Sequence, residues 1–119
     1  MSNTHNIYLI SDSTGETLER IFMALKAQFE KFDHHLFHFS FTRTENQILK
    51  ILSEAQKKDD AIILYTIVDN KLGKFLSQEA NKKNIPCFSV LGDLILNFSK
   101  LLNQKAIHKP SAQHVLDDD

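Results

Sequence analysis

Four times along this chain a short apolar run gives way to a longer stretch whose apolar residues recur at three- and four-residue spacing. That alternation constrains the fold more than any other feature. The runs are residues 7–10, 36–41, 61–67 and 87–91. Short continuous apolar runs suit strands covered on both faces, and the spacing between them is that of amphipathic helices. Strands joined through helices lie parallel, with right-handed crossovers and helices on both sides of the sheet. Residues 61–67 form the most apolar and β-branched run, which belongs at the centre of a sheet. The expected architecture is therefore α/β. It is a three-layer αβα arrangement with a four-stranded parallel sheet in the order 2-1-3-4, Rossmann-like or flavodoxin-like.

Each helix has its own pattern. Leu18, Ile21, Phe22, Leu25 and Phe29 predict a first helix ending near Lys31. In the second run Phe37, Phe39 and Phe41 alternate with His38 and Ser40, the mark of an edge strand with one wetter face. Thr44 and Gln47 have capping-box spacing ahead of a stripe of Ile48, Ile51, Leu52 and Ala55. Asp69 is the expected cap of a third helix burying Leu72, Phe75, Leu76 and Ala80, which Asn84 should stop. Pro86 precedes the fourth strand, and Gly92-Asp93 opens a last helix containing Leu94, Ile95, Phe98, Leu101 and Leu102. Beyond it the pattern is lost. Residues 1–103 read as one α/β domain and 104–119 as a polar tail with too little apolar content for a core of its own.

Composition narrows the function classes. A length of 119 residues suits a single domain. A net charge of −1 offers no general attraction to nucleic acid or to an anionic membrane surface. No apolar run approaches the length of a membrane span, and the first six residues lack the basic and apolar regions of a signal peptide. Cys87 is the only cysteine, so no internal disulfide can form and a cytoplasmic location is expected.

The most informative turn follows the first strand, at Asp12-Ser13-Thr14-Gly15. Ser13 and Glu16 have capping-box spacing, and a strand feeding a helix here presents amides and a positive dipole end that suit an anion. The alternative is an ordinary cap, since Ser, Asp and Thr are the usual capping residues. In the order 2-1-3-4 the strand order reverses between strands one and three, the switch point where open α/β sheets bind ligands. Asp12, Ser13, Thr14, Gly15, Thr66 and Asp69 then share one rim, with Arg43 at the end of strand two. Together they are a candidate phosphate site.

Other constellations point less far. Neither a Gly-x-x-x-x-Gly-Lys-Ser/Thr loop nor the Rossmann glycine fingerprint occurs. The six histidines, His108 and His114 of the tail among them, lack paired metal-ligand spacing and read as solvated, with no metal expected. Cys87 reads as a small buried hydrophobe. The alternating phenylalanines read as core because no basic residues interleave with them.

Three segments together resemble one family. They are residues 8–17 (YLISDSTGET), 64–69 (LYTIVD) and 108–117 (HKPSAQHVLD), and residues 86–95 and 43–45 fit as well. The family is that of the pyruvate, phosphate dikinase and phosphoenolpyruvate synthase regulatory proteins. The resemblance implies a bifunctional serine/threonine kinase and phosphorylase. Such a protein uses ADP to phosphorylate a threonine beside the catalytic histidine of its target, and uses inorganic phosphate to remove that group as pyrophosphate. The target would be pyruvate, phosphate dikinase or phosphoenolpyruvate synthase. Members are about twice as long, with ADP or ATP bound by a P-loop in a C-terminal kinase domain. This chain therefore corresponds to the N-terminal domain and is expected to be inactive alone. The alternative is a freestanding phosphate- or nucleotide-binding sensor module without catalysis, and a third reading is a purely structural interaction domain. The edge strand and the tail are candidate surfaces for a homodimer or for the C-terminal domain.

Overall fold

The computed structural model describes residues 4–107. The elements run β1 (His5–Ser11), α1 (Glu16–Lys26), β2 (His34–Phe39), α2 (Glu45–Gln56), β3 (Ala61–Thr66), α3 (Asn70–Lys82), β4 (Cys87–Ser89) and α4 (Gly92–Leu102). All pairings are parallel and the order is β2-β1-β3-β4, as the alternation predicts. The expected tail residues from His108 onward, His114 included, lie outside the described residues.

One sheet face is closed by two helices. Tyr8 and Ile10 of β1 with Ile63 and Tyr65 of β3 pack beneath Ile48, Ile51, Leu52 and Ala55 of α2 and Leu72, Leu76 and Ala80 of α3. Each buried Ile or Leu side chain there contributes about 1.5–3 kcal/mol by leaving water. Tyr8 stacks on Phe37 at 4.8 Å, which ties the edge strand β2 to this core. The other face is thinner: Ile7, Leu9 and Leu64 are covered by Leu18 and Phe22 of α1, with Phe32 packed alongside.

The helix ends follow local chemistry where a cap is available. Thr44 Oγ1 accepts from the Gln47 amide and Gln47 Oε1 from the Thr44 amide, completing the predicted box. Asp69 Oδ1 accepts from the amides of Lys71 and Leu72. Asn84, at φ 57°, ends α3 with the Ile85 amide bonded back to the Ala80 carbonyl, a Schellman closure.

Several boundaries differ from the sequence pattern. Helix α1 stops at Lys26, not near Lys31, because the amides of Gln28 and Phe29 take i−3 carbonyls and tighten the last turn. Phe29 then leaves the helix for an edge-on contact with Phe32 at 6.1 Å. The predicted stripe is buried only at Leu18 and Phe22; Ile21, Leu25 and Phe29 are exposed, because α1 meets the sheet along one narrow line. Strand β2 is shifted two residues earlier than 36–41. Phe41 adopts φ 54° and donates its amide to the Ser13 carbonyl, so it has left the strand. Phe75 is half-buried, and β4 ends at Ser89 because Ser89 Oγ accepts the Gly92 amide and turns the chain into α4.

Candidate functional site at the carboxyl rim of the sheet

The loop after β1 is knitted to two others. Register places Ser11 beside Thr66, and the Asp12 amide continues the ladder to the Thr66 carbonyl. The Asp12 carboxylate turns inward and accepts from the Val68 amide at 2.8 Å, while the Asp12 carbonyl accepts from Arg43 Nε at 2.9 Å. From the β2–α2 loop, the amides of Phe41 and Thr42 donate to the Ser13 and Ser11 carbonyls, and Ser40 Oγ to the Thr14 carbonyl. The loops after strands one, two and three thus form one bonded rim.

Asp12 is only 4% exposed. Burial pushes its carboxyl above the ordinary range, opposed by the Val68 amide and the nearby Arg43 guanidinium and reinforced by Asp69. The Arg43 guanidinium also lies over the Phe41 ring at 5.5 Å. Among the described residues no carboxylate stands within ion-pair distance of Arg43.

The start of α1 differs from the expected capping box. Ser13 does not cap Glu16: its own amide donates to Ser11 Oγ, and Gly15 takes the N-cap at φ 88°. Glu16 is therefore the first helical residue, two places too early for the reciprocal bond. Gly15 has no side chain to offer, and the Glu16 amide reaches Thr14 Oγ1 only at 3.5 Å. A helix start left this open presents amide hydrogens and the positive dipole end at the rim.

Six of the seven predicted residues stand on these three loops and Thr66 ends β3, in differing roles. Arg43 lies four residues beyond the end of β2 instead of ending it. The carboxylates of Asp12 and Asp69 are turned onto backbone amides of the fold. Thr66 joins through its carbonyl, Thr14 and Gly15 border the open helix start, and Arg43 is tied to the same loop through the Asp12 carbonyl. Sequence reasoning missed Ser11, Ser40 and Thr42, whose hydrogen bonds hold the rim together; the available signal was small hydroxyls at two adjacent strand ends.

Beside the rim lies a cavity of about 310 Å³ between α3 and α4, lined by Tyr65, Asp69, Lys74, Ser77, Ser89 and Asp93 among others. Asp69 is the predicted residue it includes. Burial pushes the Tyr65 phenol up, partly offset by its hydrogen bond with Ser89. Cys87 packs against the core and burial pushes its thiol up to about 12, so it is protonated at neutral pH. Among the described residues no group of three His, Cys, Asp or Glu could hold a metal, and no helix is long and apolar enough to cross a membrane.

A four-stranded parallel sheet wound with helices on both faces, and a bonded rim at its switch point, define an α/β protein of Rossmann-like fold. A family profile described as kinase/pyrophosphorylase matches residues 7–119, and the chain belongs to that family. It is 64% identical to a Pelagibacter ubique protein over 119 residues, all of this chain and 43% of that protein. A Sinorhizobium fredii protein is 37% identical over 118 residues, 98% of this chain and 42% of its own length. One from Alkaliphilus oremlandii is 38% identical over 112 residues, 94% of this chain and 40% of its own. All three carry pyruvate, phosphate dikinase regulatory protein in their names. The chain spans less than half the length of these curated relatives.

Proposed function

We propose that this chain is the N-terminal domain of a regulator of pyruvate, phosphate dikinase or phosphoenolpyruvate synthase. The parent would act as a bifunctional ADP-dependent serine/threonine kinase and phosphate-dependent phosphorylase. The observation that carries the reading is the family match across residues 7–119, joined to relatives named as regulators of the dikinase. Phosphoryl transfer requires positioning and charge stabilisation of the phosphate. The rim supplies part of that: the open start of α1 at Gly15, the Thr14 hydroxyl, and an arginine held by its Nε. No P-loop sequence occurs in the 119 residues, so catalysis falls to the further length that the relatives possess. This domain's part is to hold an anionic group of nucleotide, phosphate or target, and to contribute to target recognition.

Titration of the isolated chain with ADP, AMP, inorganic phosphate and pyrophosphate, followed by amide NMR, tests the rim. Shifts centred on Thr14, Gly15, Glu16 and Arg43 are expected at millimolar ligand. Shifts confined to other elements, or none, would remove the rim from the mechanism. Absence of phosphotransfer to either target enzyme by a Pelagibacter ubique relative carrying its full length would overturn the catalytic assignment.

A further inference from the structure

We infer that the apolar stripe of α4 is the seat of the additional polypeptide that the longer relatives possess. Leu91, Leu94, Phe98, Leu101 and Leu102 are between 38% and 79% exposed, and α4 contributes no buried residue at all. Their spacing places them on one side of the helix, while Ile95 and Ser99 line the cavity shared with α3. An 11-residue helix is marginal in water without tertiary cover, so a stripe this apolar calls for an occupant.

Length and charge select that occupant. The Pelagibacter ubique relative matches all of this chain with 43% of its own length, so more than half of that protein is polypeptide with no counterpart here. Helix α4 is the last described element, so polypeptide attached after Asp119 is tethered to the stripe and meets it at a high effective concentration. The charged residues of α4 are Asp93 and Lys100, one of each sign. An anionic membrane surface requires a cationic polar face that this helix lacks. The inference rests on the reading that the relatives' extra length belongs to the same working protein, and it is independent of any catalysis.

Hydrogen exchange of this chain alone, compared with a chimaera carrying the remaining residues of the Pelagibacter ubique relative after Asp119, tests it. Amides of residues 92–102 should exchange about tenfold more slowly in the chimaera, while those of α2 stay unchanged. The double substitution Phe98→Ser and Leu101→Ser should restore fast exchange there and leave α2 protected. Equal α4 exchange in both proteins overturns the inference. So does protection in the 119-residue chain that rises with its concentration, which would assign the stripe to a second copy. A chimaera with protected α4 but no phosphotransfer would fail the catalytic reading alone; an active chimaera with fast α4 exchange would fail this one alone.

Discussion

The two faces of the sheet are built from the same strands and end up in different states. On one, α2 and α3 close a continuous core from Phe37 on the edge strand to Cys87 on β4. On the other, α1 covers the middle of the sheet and leaves Phe88 of β4 56% exposed. Strand order explains the difference. The chain steps one way from β1 to β2 and the opposite way from β2 to β3 and β3 to β4. Right-handed crossovers then put α1 on one side and α2 and α3 on the other. Helix α4 has no following described strand to draw it back over β4, so its apolar side remains uncovered. Burial in this fold is set by crossover count as much as by residue type.

Substitutions can break that contrast. Leu52→Ala, on the closed face and fully buried, should cost about 2–5 kcal/mol in urea unfolding. A cost under about 1 kcal/mol would show that the two-helix face is not the main core. Asp12→Ala removes the acceptor of the Val68 amide and should cost about 1–3 kcal/mol. Asp12→Asn separates charge from hydrogen bonding. Because burial raises the carboxyl, the folded chain holds its proton more tightly than the unfolded chain. This contribution to stability is therefore full below the ordinary value of 3.8 and is lost as pH rises through the raised folded value. The stability of Asp12→Asn relative to the parent should accordingly improve with pH across that window, and a pH-independent difference would place the carboxylate in water.

Gly15→Ala comes next. Its added Cβ meets only ordinary contacts, with Ser40 Oγ at 3.6 Å, so the cost is that of the left-handed backbone, about 1–2 kcal/mol. A neutral result would mean that the turn relaxes and that the open start of α1 is not held in place. Thr44→Ala should cost about 1 kcal/mol by removing the cap of α2. Leu101→Ala, on the uncovered stripe, should change the stability of this chain by no more than about 0.5 kcal/mol. A larger loss would put α4 inside the core and erase the difference between the faces.

Much of the molecule was readable one segment at a time. The box at Thr44 and Gln47, the Asp69 cap, the stop at Asn84 and the stripe from Ile48 to Ala55 all formed as their spacing indicates. These features depend on groups within a few residues of one another, and the same residues carry both the signal and the bond. The strand order followed from alternation and handedness. The start of α1 departs from its local pattern because Ser13 has the capping chemistry while Gly15 has the backbone freedom, and the turn is settled by bonds from Ser40 and Phe41 to its carbonyls.

The amino-acid order was thus enough to set element types, most caps and the parallel sheet, because each follows from short-range sterics, hydrogen bonding and apolar periodicity. Assembly alone settled the rim and the exposed flanks. The Asp12 carboxylate meets an amide 56 residues away and Arg43 reaches back 31 residues to the Asp12 carbonyl. Such pairings arise only when sheet register brings distant strand ends together. Likewise, whether an apolar stripe is buried depends on which helix the topology lays beside it.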